Sequence, residues 1–418
     1  MRATIKLALH WQMAIALVSG ALLGLVLCDS YSMWSGVFNA IRDIFLHAIN
    51  MMVVPLVFLS TVLCISTMND SASMGRVAIK AFLYFMVTAM LAAVVGIVVT
   101  NILRPGYGTN LIKLGAERVF SEAEKSQAET LADKVVDIVP ENIFAVFSSG
   151  DILPIIFISL LLGYFITKIN ANRQDVINNL FESFNDVVMA ITGFIIRFAP
   201  LGIFAIVMVL VGEQAGDITM LKECFTNIAF FVIVVWISLI FMGGIVLPVM
   251  VGLMAKVSPV KHLKQIYSAL MVAFSTSSSY SALPLIVSDA KDKMGVSNRV
   301  ASFTVPLGIT FNKVGTVVYE CVAVMFVAQA VGVELTAAQQ VSLIGASIVA
   351  VLGAPSVPMA GVITLAVLLK AMDLPTDYIG MFMAIDILCD MPKTLLNAYS
   401  VSCSAIIVAR SEGEILRI

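Results

Sequence analysis

From one end to the other the chain carries apolar runs of the length needed to cross hydrocarbon, and this recurrence leaves few folds open. The runs lie near residues 8 to 28, 43 to 67, 77 to 103, 152 to 167, 187 to 212 and 224 to 255. A helix rises about 1.5 Å per residue, so about 20 residues span a core of about 30 Å. Lipid offers the backbone no hydrogen-bond partners, so such segments must close their own bonds as helices. Charged residues make up only 12 % of 418 positions and apolar types 60 %, with a mean hydropathy of +1.00. A soluble chain carries about 25 % charged residues. The expected class is an all-α polytopic membrane protein.

Lys and Arg fall in alternate connections: Arg2 and Lys6, Arg76 and Lys80, Lys168 and Arg173, then Lys256, Lys261 and Lys264. By the positive-inside rule these connections and both termini face the cytoplasm, and the expected address is the cytoplasmic (inner) membrane. The acidic stretch 104 to 150 and the loop with Glu213 and Asp217 then face outward. The first run is too long for a removed signal and reads as a first spanning helix. A net charge of -2 without a basic stripe argues against a nucleic-acid partner. Six cysteines without a CxxC or metal-ligand spacing read as small buried hydrophobes, so neither a metal site nor a cofactor is expected.

Beyond residue 260 the apolar stretches are broken at their middles. Residues 268 to 290 hold two short arms around Ser275, Thr276, Ser277, Ser278, Ser279, Tyr280 and Ser281; residues 341 to 370 repeat the design around Gly353, Ala354, Pro355, Ser356, Val357 and Pro358. Neither arm alone crosses the core, so two re-entrant hairpins are expected, with two kinked spanning helices as the other reading. Paired, interrupted segments of this kind build midplane sites in inverted-repeat transporters.

Two further apolar segments carry polar groups that lipid would not tolerate: Thr310, Asn312, Lys313, Gly315, Thr316 and Glu320, then Asp386, Asp390, Lys393, Thr394 and Asn397. Asp386, Asp390, Lys393 and Asn397 stand at i, i+4, i+7 and i+11, on one helix face. Two carboxylates, an ammonium and an amide can together hold an amino acid. An internal Asp390–Lys393 ion pair that only joins helices fits the same spacing.

At these residues the chain resembles the dicarboxylate/amino-acid:cation symporter family, the glutamate transporter homologues. The resemblance covers nearly the whole chain. It rests on Phe198-Ala199-Pro200-Leu201-Gly202-Ile203-Phe204-Ala205, on Asp137-Ile138-Val139-Pro140 with Leu153-Pro154, on the serine-rich tip Thr276 to Pro284, and on Val357-Pro358-Met359-Ala360-Gly361. It implies eight transmembrane helices plus two re-entrant hairpins, inverted repeats and a homotrimer of elevator-type protomers in lipid. Residues 1–75 would hold scaffold helices 1 and 2, and 76–103 transport helix 3. Residues 104–215 would hold the outer loop and scaffold helices 4 and 5, and 216–418 the rest of the transport domain.

The resemblance implies substrate binding by Ser277, Ser278, Ser279, Thr316, Val357, Asp390, Lys393, Thr394 and Asn397. Asp390 would take a substrate ammonium, and Lys393 stands where carriers of acidic substrates have arginine. It implies cation or proton coupling through Thr88, Thr310, Asn312, Lys313, Glu320 and Asp386. Where the family reads Asn-Met-Asp-Gly-Thr, this chain has Asn312-Lys313-Val314-Gly315-Thr316; Val401 replaces a second family aspartate, and Ala89 a serine. The expected coupling ion is therefore the proton, with sodium coupling through a residual site as the other reading. The expected function is import of glutamate or aspartate, with C4-dicarboxylate or neutral amino-acid transport as the alternative. A channel or receptor remains a third class. Enzyme activity is not expected, because His10, His47 and His262 lie far from the serine cluster.

Overall fold

Lipid forces a chain to satisfy its backbone locally, and among the described residues this one does so with helices and no strand. The computed structural model describes residues 9–26, 31–66, 75–107, 139–149, 152–214, 218–352, 360–376 and 378–417. The acidic stretch 108–138, Asp217, and the second tip with Ser356 and Val357 lie outside the described residues.

The helices are α1 (Leu9–Val26), α2 (Tyr31–Ser66), α3 (Gly75–Leu103), α4 (Ile143–Ser149), α5 (Ile152–Ile166), α6 (Ala171–Ile196) and α7 (Ala199–Gln214). Then come α8 (Ile218–Phe241), which continues through wider turns at Met242–Val246 and Val251–Ala255, α9 (Pro259–Thr276) and α10 (Ser279–Ser288). The last are α11 (Asn298–Phe311), α12 (Val314–Ala330), α13 (Ala337–Leu352), α14 (Ala360–Ala371) and α15 (Ile379–Ser411). Among the described residues four segments, 76–103, 171–196, 226–255 and 298–330, are long and apolar enough to cross a membrane by length and composition.

The helix ends depart from the apolar runs in two places. Helix α2 starts at Tyr31, not near 43, and α6 starts at Ala171, because amphipathic turns extend each run; the Asn170 side chain caps α6 by accepting from Asn172 N at 3.4 Å. The run expected at 187 to 212 is split between α6 and α7. Pro200, in the first turn of α7, has no N–H to continue the ladder and its ring blocks the preceding carbonyl.

The helices pack in two sets. Helix α1 lies along α7, and α2 along α5, α6 and α7; α3 lies along α12, and α15 gathers α9, α11 and α12. The sets meet where α15 crosses α7 and α14 touches α2. Helix α12 is enclosed, with every residue from Val314 to Ala328 buried. Around it Phe231 packs on Phe326 and Phe382 at ring-centre distances of 5.1 and 5.2 Å.

Among the described residues two interruptions position the site. Helices α9 and α10 pack on each other across Ser277, which is left-handed (φ 49°), and Ser278, whose hydroxyl caps α10 by accepting from Ser281 N. Helices α13 and α14 also pack on each other. The apolar segment around Thr310 to Glu320 is no single helix, since Asn312 and Lys313 leave helical geometry between α11 and α12. At one end of the second set Glu412 takes Lys80 at 2.5 Å and Arg299 at 3.3 Å, and Glu414 takes the Ser297 amide at 2.8 Å. The Lys80 ammonium holds the Glu412 carboxyl below the usual carboxylate range.

Helices α1 and α7 approach so closely that a Cβ on Gly20 would stand 2.7 Å from the Phe204 carbonyl oxygen, whereas Gly36 has open space. Gly20→Leu is therefore expected to cost about 1–3 kcal/mol by overpacking, read as a lowered thermal transition in detergent, with Gly36→Leu unchanged. Equal melting of the two variants would rule out this close approach.

Candidate substrate and cation site

A helix broken inside the protein leaves amide groups without partners, and the residues around the α11–α12 break answer that need. The Gly315 amide donates to Asn397 Oδ1 at 2.7 Å, and Asn397 Nδ2 reaches Thr316 Oγ1 at 3.4 Å. Asn312 Nδ2 donates to Ser400 Oγ at 2.9 Å, while the Thr88 hydroxyl lies 3.2 Å from Asn312 Oδ1. Tyr84 donates to the Ser400 carbonyl at 3.3 Å. Lys313 is buried at the break. The first tip reaches the same place, because the Tyr280 hydroxyl lies 3.3 Å from Thr310 Oγ1.

One turn away on α15 sits a buried ion cluster. Lys393 donates to Asp386 Oδ1 at 2.5 Å and lies 3.5 Å from Asp390 Oδ1. Lys393 and Asp386 are each 2 % exposed, while Asp390 is 23 % exposed and so is the carboxyl with access to an incoming ligand. The ammonium also lies 4.1 Å from the centre of the Tyr319 ring, a cation–π contact. Glycine backbone closes on Lys393 at two points: a Cβ on Gly361 would stand 3.2 Å from its Nζ, and one on Gly315 would stand 2.4 Å from its carbonyl oxygen. Beyond Tyr319, the fully buried Glu320 accepts from the Thr364 hydroxyl of α14 through Oε1, and Oε2 has no hydrogen-bond partner among the described residues. That free oxygen has room to carry a proton.

The Sodium:dicarboxylate symporter family matches residues 9–411. The chain belongs to this family. It is 31 % identical over 415 residues to the proton/sodium-glutamate symport protein of Bacillus caldotenax, covering 98 % of this chain and 96 % of the relative. It is 29 % identical over 418 residues to the proton/glutamate-aspartate symporter of Escherichia coli strain K12, covering 98 % and 94 %. It is also 30 % identical over 408 residues to a C4-dicarboxylate transport protein of Bacillus subtilis strain 168, covering 96 % and 93 %. As a family member the chain is a cation-coupled symporter of the membrane and not an enzyme.

In this symporter most of the expected residues fall in three groups, with Lys313 buried at the α11–α12 break and Glu320 against Thr364. Thr88, Asn312, Thr316 and Asn397 meet at the α11–α12 break; Asp386, Asp390 and Lys393 form the ion cluster beside the buried Thr394; and Ser277, Ser278 and Ser279 occupy the first tip with Thr310 alongside. Val357 lies outside the described residues. Sequence reasoning did not select Tyr319, Thr364, Ser400 or Tyr84. A hydroxyl inside an apolar arm is a signal that could have flagged Thr364; nothing in the spacing marks the others. Among the described residues no three His, Cys, Asp or Glu side chains gather as a metal group.

Removing one partner of a buried ion pair strands the other, at about 3–5 kcal/mol. Lys393→Met should therefore lower thermal stability markedly, and adding Asp386→Asn should recover most of the loss. A double variant no more stable than the single one would show that Asp386 is not the charge Lys393 compensates.

Proposed function

We propose that this symporter imports acidic amino acids, glutamate or aspartate, by an elevator movement of α3 and α8–α15 against a scaffold of α1, α2 and α4–α7. The observation that carries the substrate reading is the pairing on α15 of a partly exposed carboxyl, Asp390, with a buried ammonium, Lys393. A substrate ammonium meets Asp390, and a substrate carboxylate draws on Lys393 and on the serine hydroxyls of the first tip. The denser packing within the two helix sets than between them supports their movement as bodies. Exposed Val176, Leu180, Phe184 and Val187 on α6 give lipid or neighbouring protomers of a trimer an apolar face. The basic connections support cytoplasmic termini.

The coupling ion in this reading is the proton. Thr88, Asn312 and Ser400 spend their oxygens and amide on one another, with no carboxylate among them. Val401 fills its position tightly: a Cβ on Gly308 would stand 3.1 Å from its side chain. A sodium ion about 4 Å from the Lys313 ammonium would meet about 4 kcal/mol of repulsion at an effective dielectric of about 20. That corresponds to roughly a thousandfold in affinity. Lys313 then takes the place of a bound cation, and Glu320 is a second proton carrier.

C4-dicarboxylate transport is the second reading, because those substrates need Lys393 but not Asp390. Asp390→Asn is expected to abolish uptake of labelled glutamate into proteoliposomes, and Lys393→Ala to weaken glutamate far more than serine. Succinate uptake that survives Asp390→Asn, with glutamate never carried, would establish the dicarboxylate reading instead.

Transport is also expected in sodium-free buffer, accelerated by an inward proton gradient, and lost in Lys313→Met unless Val314→Asp is added. An obligatory sodium requirement in the unmodified protein would overturn the proton reading.

A further inference from the structure

Pro392 lies in the interior of α15, between Asp390 and Lys393 of the ion cluster, and neither the substrate nor the coupling reading uses it. A proline there has no N–H to give the carbonyl four residues earlier, and its ring pushes that carbonyl aside, so the helix bends away from the ring. The carbonyl left without its helical donor is that of Leu388. It is answered from another helix: the Trp236 indole of α8 donates its Nε1–H to the Leu388 carbonyl oxygen at 3.1 Å. Leu388 is 52 % exposed and Trp236 42 %, so this carbonyl lies on the outer side of α15, where hydrocarbon would offer it no partner.

The direction of the bend follows from the positions around the helix. At about 100° per residue, Leu388 and Pro392 stand about 150° around the axis from the mean direction of Asp386, Asp390, Lys393 and Asn397. A helix opened on the Leu388 side is concave on the cluster side. The turn that carries Asp386 then leans toward the turn that carries Lys393. That shortens the gap between two side chains seven residues apart, which meet at 2.5 Å with both 2 % exposed. Asp390, between them, stands 3.5 Å from the ammonium.

Helix α8 holds α15 on both sides of this point. Before the bend Phe231 packs on Phe382, with ring centres 5.2 Å apart. Beyond it Gly243 admits Leu396, whose Cδ1 stands 3.0 Å from where a Cβ on that glycine would lie. Trp236 makes the polar contact between the two. The same Phe231 meets Tyr319 edge-on at 6.1 Å, and the Lys393 ammonium rests on that tyrosine ring. Helix α8 is thus a splint along the bent segment that carries the cluster.

We propose that Trp236 is a positioning residue for the substrate cluster: by capping the Leu388 carbonyl that Pro392 releases, it sets the bend of α15 and with it the spacing of Asp390 and Lys393 that the charges of a substrate must match. This rests on the reading of the cluster as the substrate site and deepens it. Trp236 acts through the backbone of α15 alone. Because α8 and α15 belong to the set proposed to move as one body, a change in the bend alters binding and leaves the movement of the set in place.

The test measures uptake kinetics of the full chain in proteoliposomes, with labelled L-glutamate, or labelled succinate if glutamate is not carried. Trp236→Phe keeps an aromatic ring and loses the N–H. It is expected to raise KM about fivefold or more with the maximal rate within about twofold, the pattern of lost binding. Pro392→Ala returns an N–H to the Leu388 carbonyl inside the helix, and is expected to raise KM as well by straightening α15. In the Pro392→Ala background, Trp236→Phe should change KM by less than about twofold, since the carbonyl no longer needs the indole. A Trp236→Phe KM within twofold of the unmodified protein would overturn the proposal. So would an equal further rise in the Pro392→Ala background, which would make Trp236 a packing residue only. If Trp236→Phe fails to fold, folding recovered by adding Pro392→Ala supports the proposal and folding not recovered overturns it. The site reading is checked separately, because glutamate and succinate both need Lys393. A Lys393→Ala variant with unchanged KM for the carried substrate would show that the cluster does not bind it, whatever Trp236 does.

Discussion

Hydrocarbon supplies no hydrogen bonds, and the arrangement of this symporter follows from where its backbone breaks in spite of that. The helical ladder stops at the half-buried Ser277–Ser278 and at the buried Asn312–Lys313. Amides released there need a partner other than the interrupted ladder. Ser278 serves its own tip, while Asn397 crosses from α15 to the Gly315 amide and so locks α12 against α15. The polar residues are gathered around the breaks because the breaks need them, and a site able to hold a polar solute is the by-product. Stability and solute recognition therefore draw on the same few side chains.

The ion cluster obeys a second constraint, that buried charges must be matched. Asp386, Asp390 and Glu320 supply three carboxyls near two ammoniums, those of Lys393 and Lys313. Two of the three carboxyls lean on one lysine. The match is closest between Lys393 and Asp386, both shielded from water, and loosest at Asp390. An incoming ammonium thus finds its acceptor at the rim of the cluster, and the buried pair behind it fixes the geometry.

What the sequence carries well is anything encoded along one helix. The serine-rich and Gly/Pro-rich interruptions mark both broken segments because they stand in otherwise apolar surroundings, and the period of Asp386, Asp390, Lys393 and Asn397 puts them on one face. Partnerships between helices are less visible. The nearer acidic neighbour of Lys393 in sequence is Asp390, yet its shortest contact is with Asp386, seven residues and about 10.5 Å of rise away. The long side chain points toward the helix N-terminus and covers much of that distance, in a helix that contains Pro392. Thr364 meets Glu320 only because α14 packs on α12, which no spacing announces. The start of α6 was hidden for another reason: its first turns are polar enough to read as a connection.

Helix α12 is apolar on nearly all sides and touched on all sides, so no contrast between a wet and a dry face tells it how to turn about its own axis. Its angular setting is indexed instead by a few pegs: Gly315 under the Lys393 carbonyl, Thr316 toward Asn397, Glu320 toward Thr364. A rotation of 100°, one residue's worth on a helix of about 3.6 residues per turn, would exchange one set of valines for another at little apolar cost while undoing every peg. The polar groups of α12 thus act as the keyway of a shaft: they select one angular position among several that packing alone would accept.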